Sequence, residues 1–343
     1  MTTESKMSRR SSLKLIGALG LGISAPTIFF EPAPSLAGSA PHTLSRTIPL
    51  MSTLVSITVC DSSRDLAEEA QEKAFQTMKD LVPIFNRFDP NSRVSRLNRS
   101  GSLNDAPPHL MQVLGVSRDL FYQSGRVFDV TVLPLLDRQR ESIVKTGRPL
   151  EFKEIREAFK CVGFEKVTFA PGKISFAHSG VRITLDGIAK GYIVDQAAKT
   201  LEKQGVKSAL INAGGDIRAI GGKGSVPWRI GIRDPLGRKK HARTFDLTNM
   251  AVATSGNYEN YFDPQARHHH IISKDLGDSP RRIISVTAMA GTAMLADGLS
   301  TALFLLGPEQ GLKLIDSLPE AEALIMTRGG RTFKSSGWDH RTV

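Results

Sequence analysis

Leu185-Asp186-Gly187-Ile188-Ala189-Lys190-Gly191-Tyr192 runs out of a strand-like approach over residues 181–185, through a glycine-containing turn, and into a helix over 189–204 that Gly205 ends. Backbone N–H groups at such a helix start can hold phosphate, and Lys190 adds a point charge. The same residues also serve a plain strand-to-helix turn, and they form neither Gly-x-Gly-x-x-Gly nor a Walker A loop. Toward the N-terminus the spacing predicts strands at 167–169 and 173–176 and helices at 151–159, 107–125 and 64–85, the last with Ser62 or Ser63 as cap and Pro83 in its last turn. Residues 91–105 read as a polar loop, and 47–59 as one alternating strand. Toward the C-terminus, strands are expected at 210–212, 229–233, 250–254 and 283–289, with a largely basic loop over 234–243. A helix over 292–306 stops at Gly307, another covers 308–318, and strands close the chain near 323–326 and 332–335. Strands and helices in this mixed order argue for an α+β fold, helices packed on mixed sheets, in one catalytic unit over residues 41–343.

The first residues read as an address. Ser8-Arg9-Arg10-Ser11-Ser12-Leu13-Lys14 is a twin-arginine pattern, followed by an uncharged stretch over 15–30 and a small-residue site at Ser35-Leu36-Ala37. The expectation is a Tat-type signal over residues 1–37, a periplasmic location, and no stable membrane span after cleavage, because Gly17, Gly20, Gly22 and Pro26 break a stretch already short for a span. The net charge of +11 favours an anionic ligand. With only 6% aromatic residues and no basic stripe interleaved with them, no nucleic-acid partner is expected. Cys60 and Cys161 lie too far apart in sequence for a metal pair and read as buried thiols.

Three further segments could carry chemistry. Asp297 and Thr301 are four apart in the helix striped by Leu295, Leu299, Leu303 and Leu306, so they share a face and offer hard oxygen donors suited to Mg2+. An acid favoured by the helix dipole and a threonine bonded to backbone explain the pair equally well. Ala213-Gly214-Gly215-Asp216 would let a flat or anionic ligand approach the backbone, or would simply turn the chain. His268-His269-His270 is either a solvated turn or the source of a metal ligand or proton acceptor.

Taken in order, the segments resemble the ApbE family, the FAD:protein FMN transferases, from about Ile48 to Leu306. Met51-Ser52-Thr53 stands for the family's Met-Gly-Thr. Phe88-Asp89-Pro90-Asn91-Ser92-Arg93-Val94-Ser95-Arg96-Leu97-Asn98 matches aromatic-x-Pro-x-Ser-x-x-Ser-x-Leu-Asn, and Gly125-Arg126-Val127-Phe128-Asp129-Val130-Thr131 matches Gly-x-x-Phe-Asp-x-Thr. Gly-Ile-Ala-Lys-Gly-Tyr is intact from Gly187, with Val194-Asp195 after it; Asn-x-Gly-Gly-Asp-Ile starts at Asn212, Ala-Thr-Ser-Gly-x-Tyr at Ala253, His-His-Ile-Ile at His269, and Thr-Ala-Met-Leu-Ala-Asp-x-x-x-Thr-Ala-Leu at Thr292. The chain departs from the pattern at Thr184 (usually Asp), Asp186 (usually Gly) and Ser273-Lys274 (usually Asp-Pro). Residues two apart in a strand face the same side, so Asp186 is expected to supply the carboxylate that Thr184 lacks.

The resemblance implies an ApbE-like, T-fold-like architecture. It implies that Mg2+ is held by Asp297, Thr301 and the main-chain carbonyl of Gly187, and that FAD is the substrate. Lys190 assists and His270 is the base for a Thr or Ser hydroxyl of an acceptor flavoprotein, with AMP leaving. Met51, Phe88, Val127, Phe128, Asp129, Thr184, Asp186, Lys190 and Ile272 would contact the flavin and adenine portions. The alternatives are an FAD pyrophosphatase, with water in place of the hydroxyl, and a non-catalytic periplasmic FAD-binding or delivery protein.

Overall fold

Met51 and Ser52 both have left-handed backbone, at φ 53° and 57°, and this divides the single strand expected over 47–59 into two. β1 (His42–Leu50) and β2 (Thr53–Asp61) form an antiparallel hairpin with Leu50 opposite Thr53. A two-residue hairpin turn of this hand needs positive φ at both central positions, a demand normally met by Asn or Gly. The computed structural model describes residues 42–237, 241–258, 260–265 and 267–341, so the expected signal over 1–37 lies outside the described residues.

Ser63 Oγ accepts from Leu66 N and starts α1 (Arg64–Phe85), whose Ala67, Ala70, Ala74, Phe75 and Met78 are buried. The expected polar loop instead contains α2 (Arg93–Ser100), capped by Ser92 Oγ on Ser95 N and closed by Gly101 at φ 74°, and then β3 (Ser102–Leu103). α3 (Pro108–Gln123) begins with proline in its first turn. α4 (Leu133–Thr146), a helix not expected from the sequence, buries Leu133, Leu135, Leu136 and Ile143. Glu151 and Glu154 form a reciprocal capping box at the start of α5 (Phe152–Phe159). β4 (Val167–Ala170) and β5 (Lys173–Phe176) join β3 in a small sheet of order β3-β5-β4.

Residues 181–185, expected as a strand, belong to no sheet. The Asn98 side chain donates from Nδ2 to Ile183 O and accepts from Ile183 N, both at 2.8 Å, and Thr184 N donates to Val130 O at 2.8 Å. A side-chain amide thus takes the place of a neighbouring strand. α6 (Ala189–Lys203) follows. β6 (Ala209–Ala213) and β7 (Asp216–Ile220) are then joined by Gly214-Gly215, at φ 62° and 104°. β8 (Trp228–Arg233) pairs with β9 (His241–Leu247), whose first residues lie in the expected basic loop. β10 (Ala251–Gly256) and β11 (Ile283–Ala290) lead to α7 (Ala293–Asp316), which is broken at Gly307 (φ 76°, ψ −178°) where two helices were expected to meet. β12 (Glu322–Thr327) and β13 (Thr332–Lys334) complete an antiparallel sheet of order β1-β2-β6-β7-β10-β11-β12-β13.

Both faces of this sheet are covered, and alternate residues serve the two sides. Ile211, Ala251, Ala253, Ala288 and Ala290 join the core beneath α1, α6 and α7. Leu210, Ile217, Val252, Met289 and Leu324 meet Trp228, Ile230, Phe245 and Trp338 of the β8-β9 ribbon and the C-terminal turn. The fold is α+β, as the sequence indicated. Among the described residues no helix is long and apolar enough to cross a membrane.

Candidate active site

The site grows from the crossing of two helix starts. A Cβ placed on Gly191 would lie 2.2 Å from Ala293 O and 2.8 Å from Met294 N, so α6 and α7 touch backbone to backbone there. α6 has no side-chain cap of its own; Asp297 Oδ2, from α7, accepts from Gly191 N at 3.1 Å. In return Asp195, from α6, accepts from Ala293 N (2.8 Å) and Met294 N (2.9 Å), while Thr292 Oγ1 accepts from Leu295 N. Each helix therefore satisfies the exposed amides of the other. Tyr192 anchors α6 to α3 through His109 Nδ1 (2.7 Å) and Gln112 Oε1 (3.0 Å).

One turn further along α7, a Cβ on Gly187 would meet Thr301 Oγ1 at 2.8 Å, so the turn before α6 runs directly under that hydroxyl. Ser255 Oγ lies 3.3 Å from Thr301 Oγ1 and 2.7 Å from Ser300 Oγ. The segment containing Gly187 and Lys190 is thus laid alongside the segment containing Asp297 and Thr301. Asp216, a residue the sequence reading did not single out, completes the group. Its Oδ2 is 3.5 Å from Lys190 Nζ, and its carboxyl adjoins that of Asp297. Asp216 and Asp297 are only 2% and 5% exposed, so bulk water solvates neither. Burial raises the Asp216 pKa, offset in part by Lys190; burial and then the neighbouring Asp216 carboxyl raise that of Asp297 well above the ordinary range. Asp216 belongs to the Asn-x-Gly-Gly-Asp segment, but nothing local in that segment links the acid to Lys190 or Asp297.

Two adjoining buried carboxyls, a threonine hydroxyl and a close main-chain segment form a hard-oxygen donor set that fits Mg2+, with the Lys190 ammonium beside it. Among the described residues there is no cluster of three or more His, Cys, Asp or Glu, so a zinc-type set is not offered.

The three histidines separate into different roles. His268 Nδ1 pairs with Asp278 Oδ1 at 2.7 Å. His269 is buried against Phe304, its Nε2 3.2 Å from Pro280 O, and burial pushes its imidazole down to about 4. His270 is half-buried and faces Asp186, Lys190 and Arg87; burial lowers its pKa too. Its Nδ1 lies 3.2 Å from Asn260 O. A carbonyl only accepts, so Nδ1 carries the proton and Nε2 the lone pair.

Asp186 neither caps α6 nor shares a strand face with Thr184. Its Oδ2 accepts from Arg87 Nε at 2.7 Å, and its own N donates to Thr184 Oγ1 at 3.3 Å. The guanidinium of Arg87, which the sequence reading passed over, lies 4.1 Å from the centroid of the Phe88 ring, and that ring is 66% exposed. The other expected ligand contacts are distributed. Met51 forms the β1-β2 turn, Val127 is half-buried, Phe128 belongs to the main core, and Ile272 packs in the cluster of α4 and α5. Asp129 Oδ1 accepts from Thr131 N and Oγ1; its Oδ2 is buried without a hydrogen bond, and burial raises its pKa against the pull of those bonds and of Lys274.

Residues 51–325 match the model of the ApbE family. A Haemophilus influenzae protein named FAD:protein FMN transferase is 31% identical over 290 residues, which is 79% of this chain and 82% of the relative. A Vibrio cholerae protein of the same name is 30% identical over 265 residues, 72% of this chain and 78% of that one. Among solved structures, the ApbE protein of Thermotoga maritima superposes with a TM-score of 0.78 at 30% identity, covering 88% of this chain and 100% of that one. The flavin transferase ApbE from Vibrio cholerae gives the same score at 24% identity, over 88% and 99% of the two chains. With the family model matched over most of its length and a relative 31% identical across most of both sequences, the chain belongs to the ApbE family.

Proposed function

We propose that this protein is a magnesium-dependent FAD:protein FMN transferase, attaching the FMN half of FAD to a Thr or Ser hydroxyl of an acceptor flavoprotein and releasing AMP. The observation that carries the reading is the meeting of Asp297, Asp216, Lys190 and Thr301 at two crossed helix starts. The names of the relatives support it. Asp297, Thr301 and the Gly187 carbonyl would hold Mg2+, whose charge offsets the negative charge that develops on the transferring phosphoryl group. Lys190 binds the pyrophosphate oxygens and orients the phosphorus. His270 Nε2, kept neutral by its surroundings, takes the proton of the acceptor hydroxyl. The new bond from that oxygen to the FMN phosphorus forms as the bond to AMP breaks, and AMP leaves with the electron pair. Met51, Phe88, Val127, Phe128, Asp129, Thr184, Asp186 and Ile272 are assigned to the flavin and adenine portions by the family resemblance.

The test is incubation with FAD, Mg2+ and a candidate acceptor, with products weighed and AMP measured. The expected result is FMN mass on a Thr or Ser together with acceptor-dependent AMP. AMP release independent of acceptor would make the protein an FAD pyrophosphatase, no AMP would make it a carrier, and equal labelling from free FMN would refute FAD as donor. The same reading has the protein exported to the periplasm by the twin-arginine route. Replacing Arg9 and Arg10 with lysine should retain it in the cytoplasm, and unchanged export would refute that route.

A further inference from the structure

Asp216 is held with unusual firmness for a hairpin residue. Gly214 and Gly215 both sit at positive φ, and Gly215 N donates to Asn212 Oδ1 at 3.0 Å. A Cβ on Gly214 would lie 2.4 Å from Thr53 Oγ1, so the turn is pressed against β2 and cannot accept a larger residue without shifting it. β7 therefore begins at a fixed point, and its first side chain enters the site 97% buried. Oδ2 receives no hydrogen bond and faces the Lys190 ammonium at 3.5 Å. The rest of the carboxyl abuts Asp297. If this pair merely filled the core, an apolar side chain would do better, because two adjacent buried acids and one lysine are costly to desolvate. The arrangement makes sense where a second positive charge is taken up.

We propose that Asp216 is a positioning residue of this site: its carboxyl holds the Asp297 carboxyl and the Lys190 ammonium in place and supplies the second negative charge that a bound divalent cation requires. This rests on the metal reading of the preceding section. Asp216 acts behind the groups that touch ion and pyrophosphate, as supporting partners of metal ligands do, where loss typically weakens affinity or activity by about 10–100-fold.

The experiment is Mn2+ binding followed by electron paramagnetic resonance, with and without FAD, on the full chain and on Asp216→Asn, which keeps size and shape. The expected result is Mn2+ affinity lower by about 10–100-fold, with a thermal midpoint in EDTA that is unchanged or raised, since one of two adjoining acids is gone. A merely structural Asp216 would give the reverse: a lower midpoint with the Mn2+ affinity of the folded protein intact. Either that pattern or wild-type affinity in the variant overturns the inference. Asp216→Ser carries the same expectation should the Asn variant not fold. Failure of the unaltered chain to bind Mn2+ sinks the metal site and this inference together, whereas retained binding in the variant sinks only the inference.

Discussion

Gly191→Ala sets two opposed effects against each other at one atom. Inside a helix, alanine is favoured over glycine by about 1 kcal/mol, so propensity alone predicts stabilisation of α6. The new Cβ would lie 2.2 Å from Ala293 O, 2.5 Å from Ala293 C and 2.8 Å from Met294 N. A carbon and a carbonyl oxygen are content at about 3.3 Å, so the two helix starts must separate by roughly 1 Å. All three obstacles are backbone, and no rotamer change relieves them. Overpacking of this kind costs about 1–3 kcal/mol, enough to cancel or exceed the gain in propensity. The same displacement pulls Gly191 N from Asp297 Oδ2. A misplacement of about 1 Å in a reacting site can cost on the order of 100-fold in rate. The expected outcome is therefore a thermal midpoint equal to or a few degrees below that of the unaltered chain, with AMP release from FAD down by about 100-fold. Gly298→Ala is the control: its Cβ would meet Leu120 Cδ1 at 2.3 Å, a side-chain end that can swing away, with Ile188 next at 3.6 Å. Its loss should be much smaller. If Gly191→Ala were more stable than the parent and fully active, the backbone contact between the helices would be wrong.

Asp297→Asn should abolish Mg2+-dependent turnover while leaving the fold intact, since its amide oxygen can still accept from Gly191 N; Asp297→Ala should in addition lose about 1–3 kcal/mol in denaturant unfolding, because that N–H is left unpaired. Turnover by the Asn variant at the parental rate would remove Asp297 from the metal site. Asp186→Asn keeps an acceptor for Arg87 Nε but removes the charge beside His270, and AMP release should fall about tenfold with stability changed by less than about 1 kcal/mol, since the guanidinium stays hydrogen-bonded and the substituted side chain is 41% exposed; unchanged kinetics and FAD titration would make the pair structural only. His269, held down at about 4 by burial against an ordinary 6.5, stays neutral where the unfolded chain takes up a proton. Stability should therefore fall as pH drops from 6.5 toward 4, by up to about 3 kcal/mol from this group. His269→Phe should flatten that slope in unfolding titrations, and an unaltered slope would show that the ring is charged in the fold.

What could be read in the sequence was what neighbours in sequence determine. The helix over Arg64–Phe85 announced itself through Ser63 and an apolar stripe, and the break at Gly307 through Gly-Pro. Asp297 and Thr301 were paired by helical spacing alone. The hairpin turn was hidden because Met51 and Ser52 adopt a conformation that glycine usually fills. α2 was hidden by its charge, and α4 by the lack of a capping side chain. Residues 181–185 have the composition of a strand, but Ile183 pairs with a side chain 85 residues earlier. Outside a strand, Asp186 and Thr184 share no common face, and Arg87, 99 residues away, decides where the carboxylate points. Asp216 and Ser255 acquire meaning only beside Lys190 and Thr301, to which no local pattern connects them.

The mutual capping of α6 and α7 also constrains how the chain can assemble. The bond from Gly191 to Asp297 spans 106 residues, and those from Ala293 and Met294 to Asp195 span 98 and 99. Until the later segment has emerged from the ribosome and docked, the earlier helix has an open end and Asp195 has no amides to receive. Loop closure over such distances is entropically slow, and the sheet's two pairings of non-consecutive strands, β2 with β6 and β7 with β10, add to the delay. A nascent chain stalled before residue 292 therefore holds no partial version of the site, and ligand affinity should arise abruptly once the segment after Thr292 has emerged rather than grow with length.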